Sequence, residues 1–182
     1  MRRTLAMLAV AFYAIHAGVH LRRGAPYDLL WACHIATLLV ATGLLWRVPA
    51  VNAIGVLWAC FGLPLWLLYT FTGGEFMPTA MLTHVGGLAI GLFGVRLFGF
   101  PRGSAWKALG AYFVLWLLTR AVTPERANVN LAFHVHPGWE DRFTSYPIYF
   151  ATLFTAAAVS FWICEIVFRQ VTAIEHRAQV HV

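Results

Sequence analysis

The apolar residues of this chain form six long runs, each separated from the next by a polar segment or by glycine and proline. A helix needs about 20 apolar residues to cross the hydrocarbon core of a bilayer. Since lipid cannot hydrogen-bond open backbone groups, such runs are expected to be α-helical. We therefore predict an all-α polytopic integral membrane protein, with about six transmembrane helices in one domain. The predicted spans cover residues 4–21, 27–46, 51–71, 78–98, 104–122 and 146–168.

The longest polar stretch, residues 128–149, lies between the fifth and sixth spans. It contains two histidines, two asparagines and the acidic pair Glu140 and Asp141. A polar segment of this length predicts a long loop before the last helix, covering one end of the bundle.

The composition agrees with a membrane protein. Hydrophobic residues make up 60% of the chain and charged residues 11%, and the mean hydropathy is +0.71. A soluble domain has about 25% charged residues. The net charge of +6 would favour nucleic acid in a soluble protein, but here the arginines cluster at span ends. Membrane insertion accounts for that placement, so we expect no nucleic-acid partner.

The basic residues also predict an orientation. Eight arginines and lysines lie near the face that holds the N-terminus, which we call side A, and five lie near the opposite face, side B. Because cytoplasmic loops carry the excess of positive charge, we expect a multi-pass protein of the cell membrane with both termini in the cytoplasm. The histidine-containing loop then lies on the outer side.

The alternating direction of the spans brings most histidines to one face. His16 and His20 are spaced i, i+4 and share a helix face. His34 lies about 10 Å deep in the second span. Six of the eight histidines fall near side B: His16, His20, His34, His84, His134 and His136. The other two, His176 and His181, belong to the tail on side A. We expect the loop to cover a cavity whose floor holds the four histidines of the spans.

One hypothesis for this cluster is a metal or haem site. Imidazoles suit zinc, copper and iron, and two histidines on facing helices could instead hold a haem iron. Carboxylates commonly orient ligating histidines, and Glu75, Glu140 and Asp141 could do so. The candidate metal ligands are His16, His20, His134 and His136, and the sequence leaves the metal open.

A second hypothesis is an enzyme that acts on a membrane lipid or another hydrophobic substrate. A cysteine thiolate paired with a histidine is a competent acyl carrier. Cys33 is the candidate nucleophile, with His84 or His34 as its base. Asn130, Asp141 and Tyr149 are the candidates for orienting the substrate.

Three segments carry a resemblance to a known family. They are LLWACHIATLLVATGLL in span two, MLTHVGGLAIGL in span four and the loop that leads into SYPIYF. Over about residues 29–150 they resemble the YwaF-like bacterial integral membrane proteins, which are related to an animal transmembrane acyltransferase of ether phospholipids. The resemblance implies a lipid acyltransferase or hydrolase. Its matching positions are Cys33, His84, Asn130, Pro137, Pro147 and Tyr149, while Trp31 stands where the family has a histidine before the cysteine.

A third hypothesis is a non-catalytic subunit of a larger membrane complex, or a homo-oligomer. Gly87 and Gly91 form a G-x-x-x-G pair in span four, a spacing that lets helices approach closely in lipid. The sequence therefore leaves three alternatives open: an enzyme, a metal- or haem-binding protein, and a subunit.

Overall fold

The computed structural model describes residues 1–72 and 74–180, and the side chains of that part as far as residue 174. The side chains of His176 and His181 lie outside the described residues. Helices dominate, and the described part contains no β-strand, which confirms the all-helical prediction. The α-helices are α1 (Arg2–Arg22), α2 (Ala32–Trp46), α3 (Pro49–Phe71), α4 (Gly87–Phe98), α5 (Ser104–Val122) and α6 (Tyr146–Val180).

Three of these helices, α1, α3 and α6, are long and apolar enough to cross a membrane. Two further apolar segments, Ala32–Trp46 and Leu82–Phe98, are shorter. Length and composition therefore agree with a membrane protein.

Two helix starts differ from the predicted spans. The second span begins as a 3-10 turn, Pro26–Leu30, and Trp31 then adopts an extended conformation before α2 begins. The fourth span contains a π-helical turn, Leu82–Gly86, near its start, and this turn leads directly into α4. Hydropathy did not predict either turn, because polarity does not report the hydrogen-bond register of the backbone.

Glycines allow close packing of α2, α3 and α4. A Cβ at Gly43 would lie 2.7 Å from Asn52 Cβ and 2.8 Å from Asn52 Cα. A Cβ at Gly91 would lie 2.6 Å from Val56 Cγ2. Asn52 is buried, and its Nδ2 donates to the Gly91 carbonyl oxygen over 3.0 Å. Small residues and interhelical hydrogen bonds therefore fix these three helices together.

Polar contacts fasten the end of the bundle that holds the N-terminus. The Arg2 guanidinium donates to the carbonyl oxygens of Leu44 and Leu45 at the end of α2. The buried Glu165 carboxylate of α6 accepts the N–H groups of Gly103, over 2.8 Å, and Ala105, over 2.7 Å. This carboxylate caps the N-terminus of α5 and matches the positive end of its helix dipole.

Candidate metal centre

Three buried histidine side chains meet near the end of α1. His16 Nε2 lies 2.9 Å from His34 Nε2 and 3.2 Å from His20 Nε2. One ring nitrogen from each residue lies within 4.8 Å of the other two. All three residues are buried, at 2%, 8% and 5% exposure for His16, His20 and His34. Ionisable groups buried within membrane-spanning helices are costly and are commonly functional.

The local fold explains why these rings meet. His16 and His20 are one turn apart on α1 and therefore share a face. The 3-10 turn Pro26–Leu30 reverses the chain, so that the start of α2 lies beside the end of α1. His34 is the third residue of α2 and consequently faces the α1 pair.

In each of the three histidines, the ring nitrogen that points away from the cluster, Nδ1, has a partner outside it. His34 Nδ1–H donates to the Asp28 carbonyl oxygen over 2.8 Å. A carboxylate oxygen of the same Asp28 lies 3.2 Å from His20 Nδ1. His16 Nδ1 is hydrogen-bonded to Thr79 Oγ1 over 2.9 Å. Backbone carbonyls and carboxylates are the usual outer partners of metal-ligating histidines.

These partners decide which nitrogens carry protons. The carbonyl fixes the proton of His34 on Nδ1, and the carboxylate favours the same tautomer of His20. Both Nε2 atoms then present lone pairs when the rings are neutral. Of the three residues, only His16 can carry its proton on Nε2. The Thr79 hydroxyl is compatible with either tautomer of His16, because it can donate a hydrogen bond to Nδ1 or accept one from it. A cation among the three Nε2 atoms would satisfy all the lone pairs at once.

Two of the three nitrogen separations are close to those around a metal ion. Zinc binds imidazole nitrogen at about 2.0–2.1 Å, which puts two nitrogens of a tetrahedral site about 3.3 Å apart. The observed separations of 2.9 and 3.2 Å differ from this by a few tenths of an ångström. Three imidazoles without a thiolate suit zinc, copper or iron. Haem fits poorly, because axial imidazoles lie on opposite faces of the porphyrin, whereas these nitrogens crowd one point.

His84 lies beside this cluster, in the π-helical turn. Its ring centroid is 6.0 Å from that of His34, and the two rings are nearly perpendicular. Its Nδ1–H donates to the Ala80 carbonyl oxygen over 2.9 Å. Trp66 of α3 stacks on the ring at 4.7 Å. The four histidines of the predicted spans therefore lie together at one end of the bundle.

The loop histidines lie elsewhere. His134 is 54% exposed, and its Nε2 lies 3.3 Å from a carboxylate oxygen of Glu125. His136 Nδ1–H donates to the Pro137 carbonyl oxygen, and its ring lies 5.9 Å from the Tyr69 ring. Within the described residues neither contacts the cluster through a hydrogen bond or ring contact. His34 is thus the third histidine beside His16 and His20, in place of the two loop histidines that the sequence offered.

Cys33 faces a different part of the bundle. A Cβ at Gly62 of α3 would lie 3.2 Å from the Cys33 Cβ. Consecutive residues of a helix point about 100° apart, so Cys33 and His34 occupy different faces of α2. In the described part of the chain, no hydrogen bond joins the Cys33 thiol to the imidazole ring of His34 or His84. The structure thus places the candidate nucleophile against α3.

The three candidate substrate-orienting residues have different surroundings. Asn130 is buried; its Oδ1 accepts the Ala32 N–H over 2.7 Å, and its Nδ2 donates to Leu30 O and Thr119 Oγ1. This side chain ties the long loop to the start of α2. Asp141 is exposed in a 3-10 turn, whereas Tyr149 is buried, with its ring centroid 4.9 Å from that of Phe143.

Sequence reasoning missed Asp28, Thr79 and Trp66, which all contact the clustered histidines. Asp28 did carry a signal, because it is the only acidic residue among the first 74. Glu75, one of the carboxylates considered from the sequence, instead pairs with Arg23 over 2.6 Å. Thr79 and Trp66 carried no signal, since their contacts depend on how α3 and the fourth span rotate about their axes.

No protein-family model, curated protein or solved structure matches this chain. The resemblance to the YwaF-like proteins therefore stays a prediction that depends on its short motifs.

Proposed function

We propose that this protein is a six-span enzyme of the cell membrane that binds one divalent transition-metal ion through His16, His20 and His34. Zinc is the first candidate, because three protein ligands and one open position are typical of catalytic zinc sites. The substrate is a membrane lipid, from which an acyl group is hydrolysed or transferred. The observation that carries the proposal is the convergence of three Nε2 atoms whose Nδ1 atoms are all held from outside.

The position of the cluster along α1 supports a lipid substrate. His20 and His16 lie two and six residues before Arg22, the last residue of α1, which is about 3 and 9 Å along the axis. An ion at this depth would lie near the boundary between headgroups and acyl chains, about 5–10 Å into the membrane. The ester bonds of a glycerolipid occupy the same boundary, so a lipid could reach the ion without leaving its leaflet.

The residues around the cluster have distinct roles in this proposal. A bound metal ion polarises a carbonyl or activates water, and the open position admits the substrate. Asp28 orients two ligands, His20 and His34, through its side chain and its backbone. The Thr79 hydroxyl would accept the His16 Nδ1–H and so leave the His16 Nε2 lone pair for the ion.

Metal content tests the binding step. Protein purified in detergent is expected to hold one zinc, copper or iron ion per chain by elemental analysis. The variants His16→Ala and His34→Ala are expected to lose it, since each removes a ligand. His136→Ala is the matched control, because this histidine contacts Tyr69 and the loop, and it should retain the metal. Wild-type protein that takes up none of these metals, even when they are supplied, contradicts the proposal.

Lipid turnover separates the metal from the thiol. With the protein in phospholipid vesicles, hydrolysis of a labelled diacyl phospholipid is expected to continue in Cys33→Ala and to stop in His16→Ala. The reason is that Cys33 faces α3, whereas His16 would hold the ion. A Cys33→Ala variant that keeps its metal but loses turnover would support the cysteine acyl carrier instead.

A further inference from the structure

We infer that His84 is a fourth, displaceable ligand of the same ion, so that the site closes to four nitrogens until substrate takes its place. This inference rests on the proposed metal site. It assigns His84 to metal binding, whereas the sequence offered it as the base of a cysteine nucleophile.

Ring spacing is the first argument. Four imidazoles on a tetrahedral ion, with nitrogen at about 2.0–2.1 Å, have ring centroids about 5 Å apart. In the cluster, the His16 ring lies 4.6 Å from His20 and 4.4 Å from His34, and the His20–His34 distance is 5.4 Å. The His34–His84 distance of 6.0 Å exceeds the tetrahedral value by about 1 Å. His84 stands outside the group of three nitrogens that lie within 4.8 Å of one another, so coordination would need its ring to move toward that group.

The protonation of His84 is the second argument. Donation from Nδ1 to the Ala80 carbonyl oxygen leaves Nε2 with a lone pair in the neutral ring. The residue is 3% exposed. Nε2, with its lone pair, is therefore the atom through which His84 would bind a metal ion. His34 has the same arrangement, with Nδ1 on a carbonyl and Nε2 facing the centre.

The backbone that carries His84 is the third argument. His84 is the middle residue of the π-helical turn Leu82–Gly86, and such turns occur often at functional sites. A π turn contains one residue more than an α turn, so its conversion would rotate the preceding residues by about 100°. Thr79, which holds His16, lies in that preceding segment. Thr79 reaches His16 with the π turn in place, so this turn links the position of His84 to the partner of His16.

Trp66 limits where the ring can move. It stacks on His84 at 4.7 Å with an interplanar angle of 22°. This contact keeps the imidazole nearly parallel to the indole. The least hindered motion of the His84 ring is therefore a slide along the face of the indole. The same contact provides a resting place for the ring when substrate displaces it.

Cobalt(II) tests the inference, because its visible spectrum reports coordination number. Purified wild-type protein loaded with Co²⁺ is expected to show the intense visible bands of four-coordinate cobalt. His84→Ala should bind Co²⁺ about 10–100-fold more weakly and show altered bands. Added imidazole should restore those bands by filling the vacated position. His136→Ala should match the wild type, and His84→Gln keeps bulk against Trp66 if the alanine variant does not fold.

The outcomes separate the inference from the proposed function. If the His84 variants bind Co²⁺ with wild-type affinity and spectrum, the inference is wrong while the three-histidine site stands. Weaker binding with an unchanged spectrum and no response to imidazole would assign His84 a packing role, and it also overturns the inference. If the wild type binds no Co²⁺, the proposed function itself fails.

Discussion

Asp28 contacts two of the three converging histidines through two different groups. Its backbone carbonyl accepts the His34 Nδ1–H, and its carboxylate lies beside His20 Nδ1. The carbonyl contact needs only the correct backbone conformation, whereas the carboxylate adds a negative charge near the proposed cation. Because a charge in a site of low dielectric has a strong effect, the side chain and the backbone of Asp28 should contribute separately.

Asp28→Asn tests the carboxylate alone. The variant keeps the size of the side chain and the carbonyl contact with His34 but removes the charge beside His20. Outer partners of metal-ligating histidines typically contribute about 10–100-fold in affinity, so we expect a loss of that size. Competition against a chelator of known affinity measures it with purified protein.

Glu75→Gln is the control for this variant. It also removes a carboxylate close to α1, but one that pairs with Arg23 outside the cluster. Its metal affinity should equal that of the wild type. Equal affinities for the wild type and Asp28→Asn would show that the His20 contact does not orient a ligand.

Part of the site could be predicted from individual residues. The i, i+4 spacing predicted that His16 and His20 share a face, and counting along the spans brought His34 and His84 to similar depth. Depth does not give the rotation of a helix about its axis. Sequence alone therefore could not decide that His34, rather than a loop histidine, completes the group of three.

At the level of the elements, α2 and α3 approach each other closely at Gly43. Gly43 of α2 faces the backbone of Asn52 in α3, and a Cβ there would lie 2.8 Å from the Asn52 Cα. Backbone cannot move aside as a flexible side-chain tip can. The helices must therefore separate locally if Gly43 is enlarged.

Gly43→Ala should destabilise the protein by about 1–3 kcal/mol, the usual cost of overpacking. Gly110→Ala is the matched control, because it is the same change inside α5, where an added Cβ meets nothing within 4 Å. That variant should be neutral or more stable by about 0.5–1 kcal/mol, since alanine favours the helix. Thermal unfolding in detergent compares the two. Equal melting temperatures would contradict the close approach of α2 and α3.

The hydrophobic pattern predicted the helices better than it predicted the turns that begin two of them. Apolar run lengths and the breaks at glycine and proline place α3 and α5 close to their observed bounds. The 3-10 turn that holds Asp28 and the π turn that holds His84 differ from an α-helix only in hydrogen-bond register. No pattern of apolar residues distinguishes these registers, so both site-bearing turns had to come from the structure.

In the molecule as a whole, the two ends of the bundle have different characters. Arg2 and Glu165 fasten the end at which α1 and α5 begin, through bonds to backbone groups. The opposite end holds the histidine cluster, and Asn130 ties the long loop to the start of α2 there. A lipid enzyme with this arrangement would have its chemistry in one leaflet only.

For the proposed lipid enzyme, sidedness would decide which leaflet supplies the substrate. The excess of arginine and lysine on side A predicts that the histidine cluster faces the outside. Exposed residues at the two ends allow a direct test: Glu140 lies in the long loop, and Arg102 lies in the turn before α5. Glu140→Cys should react with a membrane-impermeant maleimide in intact cells.

Arg102→Cys should react with the maleimide only after the cells are permeabilised. If α5 crosses the membrane, residue 102 lies on the opposite side from the long loop. The chain without an added cysteine measures the background labelling. This background should be low, because its three cysteines are only partly exposed and all lie within helices. A reversed pattern would move the site to the inner leaflet and leave the six-span arrangement intact. Labelling of both variants in intact cells would instead mean that α5 does not cross the membrane, and the six-span proposal would fail.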